Sequence, residues 1–228
     1  MGMKGKVALG AVVGIVVIGA VSVAAGGDGD GGGSEGKGSS ASQRQSGGAE
    51  DTAKETGKKA EKKAAFAGDG DYQVGSDIKP GTYRTTGNTD DMCYWERAKD
   101  ASGDADSLLA NDNVTGTSYV TVKATDKLFK SSGCKDWEAV DPKAAGTPAT
   151  QMSGKGGMFK VGVDVAPGTY KSTGNTDDMC YWERAKDAEH SLESIAANNN
   201  VTGTAVVTIG AKDAYFKTTG CQDWKKTG

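Results

Sequence analysis

The sequence predicts an all-β protein: two small antiparallel domains in tandem, each a roll or sandwich stapled by one disulfide, after an amino-terminal apolar helix. Three observations carry this. Residues 72–137 align with 159–224 at a constant offset of 87, without a gap, and 41 of the 66 aligned positions are identical. Within each copy the apolar pattern alternates with period two, the signature of a half-buried strand. The four cysteines fall two to a copy, at Cys93 and Cys134 and at Cys180 and Cys221.

Residues 1–25 come first. Lys4 and Lys6 precede an uncharged run over 7–25 that is long enough to span a bilayer core. A basic start, an apolar run and small residues near Ala25 fit an export signal or a retained single-pass anchor, and both readings stay open. Nothing in the following stretch could bury such a run in a soluble core. Residues 26–71 form a tether. Its first part is rich in Gly and Ser with too little apolar content to offset ordering entropy. Over 49–65, Glu50/Lys54 and Glu55/Lys59 are acid-before-base pairs four apart, consistent with a partly populated, exposed helix.

The first domain spans 72–137. Short strands are expected over 72–74, 82–86, 92–97, 107–110, 117–123 and 127–131. Pro80-Gly81 suits the centre of a type II turn. The Gly- and Asn-bearing stretches 87–91 and 111–116 read as loops, and 124–126 as the turn of a hairpin. A single helical turn over 106–110 is the alternative for one element. Residues 138–158, with Pro142, Pro148 and four glycines, read as an extended linker. The second domain, 159–224, repeats every element, and 225–228 is a tail.

A unit of 66 residues buries too little apolar surface to be comfortably stable, so a staple is expected. Four cysteines allow three pairings. Duplication selects Cys93 with Cys134 and Cys180 with Cys221, because each copy must then be self-sufficient. This use of cysteine fits an oxidising, extracellular compartment. No CxxC occurs, and the one histidine, His190, aligns with Gly103 in the first copy. Metal or redox chemistry shared by both copies is therefore not expected, nor is any cofactor.

On the strand CYWER, Cys93 and Trp95 point to one face, Tyr94 and Glu96 to the other; Cys180, Trp182, Tyr181 and Glu183 repeat this. Trp95, Trp137, Trp182 and Trp224 are expected either to pack over the disulfides or, half exposed, to stack on a sugar or peptide. The polar face bearing Tyr94 and Glu96, with Tyr181 and Glu183, is the place to seek a ligand; its bland alternative is a cross-strand network reaching Arg84. Asp90 and Asp91, with Asp177 and Asp178, form an acidic loop that is a second candidate for ligand binding. Its oxygen ligands suggest calcium, but the spacing matches no established calcium loop and adjacent acids are common in ordinary turns. No serine–histidine or cysteine–histidine set exists in both copies, so the protein is not expected to be an enzyme. With a net charge of -3 and no basic patch, nucleic acid is not an expected partner. Asn113-Val114-Thr115 and Asn200-Val201-Thr202 match the glycosylation acceptor pattern.

The run Val74-Gly75-Ser76-Asp77-Ile78-Lys79-Pro80-Gly81-Thr82-Tyr83-Arg84, then CYWER, Asn113 to Gly116 and Gly133 to Trp137, resembles a domain of small exported proteins and lipoproteins of actinobacteria. The second copy keeps the pattern with Val165-Ala166 and Lys171 as variants. The resemblance implies export and a β-rich disulfide domain; it supplies no activity. Gly26 stands where a lipoprotein would carry its lipidated cysteine.

The expected role is non-catalytic: two similar modules on a stalk at the outer face of the membrane, or secreted, binding an envelope polysaccharide or protein. The membrane is a partner through 7–25 if that run is uncleaved. The alternative is a structural or assembly protein of a cell surface, filament or virion; a weaker one is a secreted inhibitor-like domain.

Overall fold

The strand that carries CYWER is far longer than its alternating core. The computed structural model describes residues 64–228; the apolar run 7–25 and the tether up to residue 63 lie outside the described residues. Residues 64–71, also read as tether, belong instead to the first domain, with Phe66 in its core, bonded to Trp137, and Gly70 opening a strand. Repeat 1 contains β1 (Gly70–Gln73), β2 (Gly81–Ala98), β3 (Leu108–Val122), β4 (Leu128–Ser132) and β5 (Glu138–Ala139). Repeat 2 contains β6 (Gln151–Met152), β7 (Gly156–Lys160), β8 (Gly168–Ala185), β9 (Ile195–Ile209), β10 (Tyr215–Thr219) and β11 (Trp224–Lys226). A one-turn 3-10 helix, Ala105–Ser107 or Leu192–Ser194, precedes β3 and β9. Each repeat is a curled antiparallel sheet held by one disulfide, Cys93–Cys134 and Cys180–Cys221.

Two expected loops are bent strand instead. The stretches 87–91 and 111–116 belong to β2 and β3, which pair along almost their whole length. The turn signals fall opposite each other: Asn88 pairs with Gly116, and the register shifts on either side. Gly87 (φ 77°), one residue before that rung, and Gly116 (φ 78°), on it, supply left-handed backbone, so both strands bend together and continue. The Asn88 side chain locks the bend. Its Nδ2 donates to the Gly116 carbonyl at 3.0 Å, and its Oδ1 accepts from the Lys135 N–H at 2.8 Å. Asn175 does the same with Gly203 and Gln222 in repeat 2.

Three further expectations are corrected. Gly81 has no positive φ and opens β2; the tight turn lies earlier, with Gly75 at φ 104° and its N–H donating to the Ile78 carbonyl at 2.7 Å. β4 does not form a hairpin with β3: the strand order is β1-β4-β2-β3. The connection after β3 is pinned across the end of β2, where Lys127 N–H donates to the Ala98 carbonyl and Asp126 is held by Arg97. The residues read as an extended linker supply β5, which pairs with β2, β6, which pairs with β11, and the start of β7.

The core of repeat 1 gathers Phe66, Ile78, Tyr83, Trp95, Val120, Val122, Phe129 and Trp137 around the disulfide. Repeat 2 gathers Val165, Tyr170, Val207, Ile209, Phe216 and Trp224 in the same way. Trp137 and Trp224 are sealed at 0% exposure, and their Nε1–H groups donate to Ser131 and Thr218 hydroxyls.

The repeats lie in one compact unit and pack against each other. Between them is a third buried cluster of Tyr119, Met158, Ala185, Ala188 and Tyr215. The contact is head to tail: the edge strand β3 of repeat 1 meets the outward sheet face of repeat 2. Thr121 N–H donates to the Ala188 carbonyl at 2.7 Å, Arg84 pairs with Asp164, Lys217 with Asp112 and Lys123 with Glu189.

Candidate functional site

The alternation along β2 puts Tyr94 and Glu96 on the outward face, away from the buried Cys93 and Trp95. The Tyr94 hydroxyl donates to Glu96 Oε2 at 2.6 Å and accepts from Asn111 Nδ2 at 3.4 Å. Burial first, and the Glu96 carboxylate second, push the Tyr94 hydroxyl up to about 12, so it stays a donor at any physiological pH. Tyr181, Glu183 and Asn198 repeat the arrangement, at 2.7 and 3.2 Å. Glu96 does not reach Arg84, which pairs with Asp164 instead.

These two faces have different surroundings. In repeat 2 the face is closed on β3 of repeat 1: Glu183 is only 8% exposed, and Met158, Tyr215 and Lys217 beside it make the inter-repeat contact. In repeat 1 none of the described residues closes the same face, and Tyr94 and Glu96 are partly exposed. It borders a cleft of about 240 Å³ lined by Asp71, Glu96, Ala98, Leu108, Leu128 and Lys130.

The other sequence-derived candidates fall elsewhere. Trp95, Trp137 and Trp224 are fully buried, so their faces meet protein and not solvent. Trp182 is the exception, half-buried. The side chains of Asp90, Asp91 and Asp177 lie outside the described residues. Asp178 is exposed with φ 51°, and its carboxylate accepts from the Thr202 hydroxyl. Among the described residues no group of three His, Cys, Asp or Glu side chains is placed to hold a metal ion.

A family model for the Rv1352-like extracellular domain matches residues 64–138 and again 150–225, so it covers both repeats. The chain belongs to the Rv1352-like extracellular domain family. Among its relatives are the proteins named "Uncharacterized protein Rv1352" of Mycobacterium tuberculosis H37Rv and "Uncharacterized protein Mb1387" of Mycobacterium bovis. Each is 31% identical over 97 residues, a match covering 78% of the relative and 37% of this chain. No solved structure matches it significantly.

His190, set aside in the sequence because repeat 1 has Gly103 there, proves to be a contact between the two Rv1352-like domains. Its ring meets Trp95 edge-on at 4.7 Å, and its Nε2 lies 2.7 Å from the Tyr119 carbonyl. It keeps the left-handed backbone of its glycine counterpart, φ 56° against 76°. That conformation costs a non-glycine residue about 1 kcal/mol, against which stand the contacts with Trp95 and the Tyr119 carbonyl. The signal was present in the sequence as a histidine in a glycine position.

Burial, aided by the Lys217 cation, lowers the pKa of His190 below its ordinary 6.5; Asp112, the Tyr119 carbonyl and Glu183 oppose the shift. The unfolded chain therefore takes up this proton at higher pH than the folded one. The stabilisation from neutral His190 is complete above about pH 6.5 and is lost as pH falls toward the folded value, by at most about 1.4 kcal/mol per pH unit. Thermal midpoints measured between pH 7.5 and 5.5 should fall more steeply for the native chain than for His190→Gln; parallel slopes would remove His190 as the cause.

Proposed function

We propose that the protein is a non-catalytic extracellular binding protein in which the outward face of repeat 1 receives a protein ligand of the cell envelope. One observation carries this reading. The equivalent face of repeat 2 already grips a polypeptide, the edge strand β3, through the same Tyr-Glu strand and its neighbours. The repeat 1 copy, built alike, is open around its cleft. Two equal modules acting together is therefore not the arrangement proposed: repeat 2 spends its face on holding repeat 1. A polysaccharide ligand is less favoured because three of the four tryptophans have no free ring face. Tethering through residues 7–25, as read from the sequence, would present the tandem at the outer side of the membrane.

The test uses the full chain and isolated cell envelopes. Asp71→Lys with Lys130→Glu alters two exposed side chains beside the cleft without touching the core. Retention should drop about tenfold or more, while Leu192→Lys, at a residue 84% exposed, leaves it unchanged. Protease treatment of the envelopes should remove retention, and polysaccharide hydrolysis should not. Unaltered retention of the double variant would refute the assignment of this face.

A further inference from the structure

Head-to-tail packing uses one surface of each repeat and leaves its counterpart on the other repeat open. The β3 strip of repeat 1 is covered; the equivalent β9 strip of repeat 2 is not covered by any of the described residues. Across three neighbouring strands, repeat 1 presents the row Glu138, Arg84 and Tyr119. This row receives Asp164, which pairs with Arg84 at 3.5 Å and accepts from the Tyr119 hydroxyl at 2.6 Å. At the same rung repeat 2 presents Lys225, Lys171 and Val206. All three are exposed, Val206 at 59%, and the two lysines sit cross-strand with no acid between them. Like charges in that position repel and call for an anion.

The backbone and the aromatic end of the strip follow suit. β9 pairs only with β8 among the described residues, so its outer edge is a template for added chain. Thr208 is exposed where Thr121 donates to the Ala188 carbonyl. Trp182 is half-buried where Trp95 is sealed under His190, and Arg184 is partly exposed where Arg97 donates to the Glu189 carbonyl.

We infer that the β9 strip of repeat 2 is a docking site for an acidic segment of another protein. That segment supplies a carboxylate to Lys171 and Lys225, apolar contact to Val206, a backbone carbonyl to Thr208 and a ring over Trp182. It does in trans what Asp164 and residues 188–190 do for repeat 1. A second copy of this chain is a poor occupant. Its repeat 1 offers Asp77 as the carboxylate, but it has Asp71 in place of Met158, Gly103 in place of His190 and Leu128 in place of Tyr215.

The probe is a second batch of the full chain carrying Asp71→Met, Ser102→Glu, Gly103→His and Leu128→Tyr, with Val206→Lys to block its own strip. Gly103 has open space around it and already holds the backbone conformation that His190 adopts, so the probe should fold. By light scattering, the native chain alone should stay a single species, and native chain plus probe should associate. Val206→Lys or Lys171→Glu in the receiving chain should weaken that association about tenfold or more. Absence of association between native chain and probe would overturn the docking site. Self-association of the native chain through Val206 would make a second copy the occupant and overturn the separate partner. Binding of polyglutamate that Lys171→Glu abolishes and Val206→Lys leaves intact would make the strip a polyanion site, and the proposal would fail.

Discussion

Replacing Cys93 and Cys134 together by alanine is expected to destabilise repeat 1 by about 4 kcal/mol. The bridge joins positions 41 residues apart, and a loop of that length carries this much chain entropy in the unfolded state. The figure is large against the total stability of a small domain, about 5–15 kcal/mol. The loop encloses the last third of β2, all of β3 and all of β4, so without the bridge most of the strand pairing of the curled sheet gains freedom on unfolding. Cys180 and Cys221 have the same separation, and their removal should cost the same. Urea titration is the measurement. The midpoint should fall and the slope should rise, because an unbridged denatured chain exposes more surface. A loss below about 1 kcal/mol for both pairs would mean that packing around Trp137 and Trp224, and not the cross-link, supplies the stability.

The disulfides were legible because duplication left only one self-sufficient pairing. The outward face was legible because strand alternation is local: Cys93 and Trp95 go in, Tyr94 and Glu96 go out, whatever the neighbours are. What was not legible depends on partners distant in sequence. Gly87 and Gly116 look like separate turns until Asn88 is known to lie across from Gly116. The pairing of β4 with β2 depends on Asp126 being held beneath Arg97, and no local pattern announces that. The docking of the repeats was legible only in the differences between copies. Tyr119 against Val206, His190 against Gly103, Tyr215 against Leu128 and Met158 against Asp71 each place the bulkier or less polar residue in the contact. Identity answers a different question. Asn88 and Asn175 show that part of the unchanged GNTDDMCYWERAKD block is kept to hold a bend. A ligand is not needed to explain those positions.

The same sequence in two settings yields the second large effect. Arg97 and Asp126 form a bidentate pair at 2.7 and 3.0 Å, with side chains 5% and 1% exposed. Asp126 also accepts from the Lys123 N–H, and Arg97 donates onward to the Glu189 carbonyl of repeat 2 at 2.7 Å. Arg184 and Asp213 are the identical residues in repeat 2, yet their side chains are 31% and 9% exposed, and among the described residues nothing covers them as residues 189–190 cover Arg97. Asp126→Ala leaves a guanidinium buried without its counter-ion, which should cost about 3–5 kcal/mol. Asp213→Ala leaves a guanidinium that water can reach, and about 1 kcal/mol is expected. Chemical denaturation of the two variants gives the difference directly. Asp126→Ala should also loosen the contact at Glu189 and His190, so that Trp95 emission shifts to longer wavelength before global unfolding. Equal losses for the two variants would show that the pair is set by its own repeat. Unequal losses in the expected order mean that docking has turned one copy of a shared ion pair into a buried clasp between the domains.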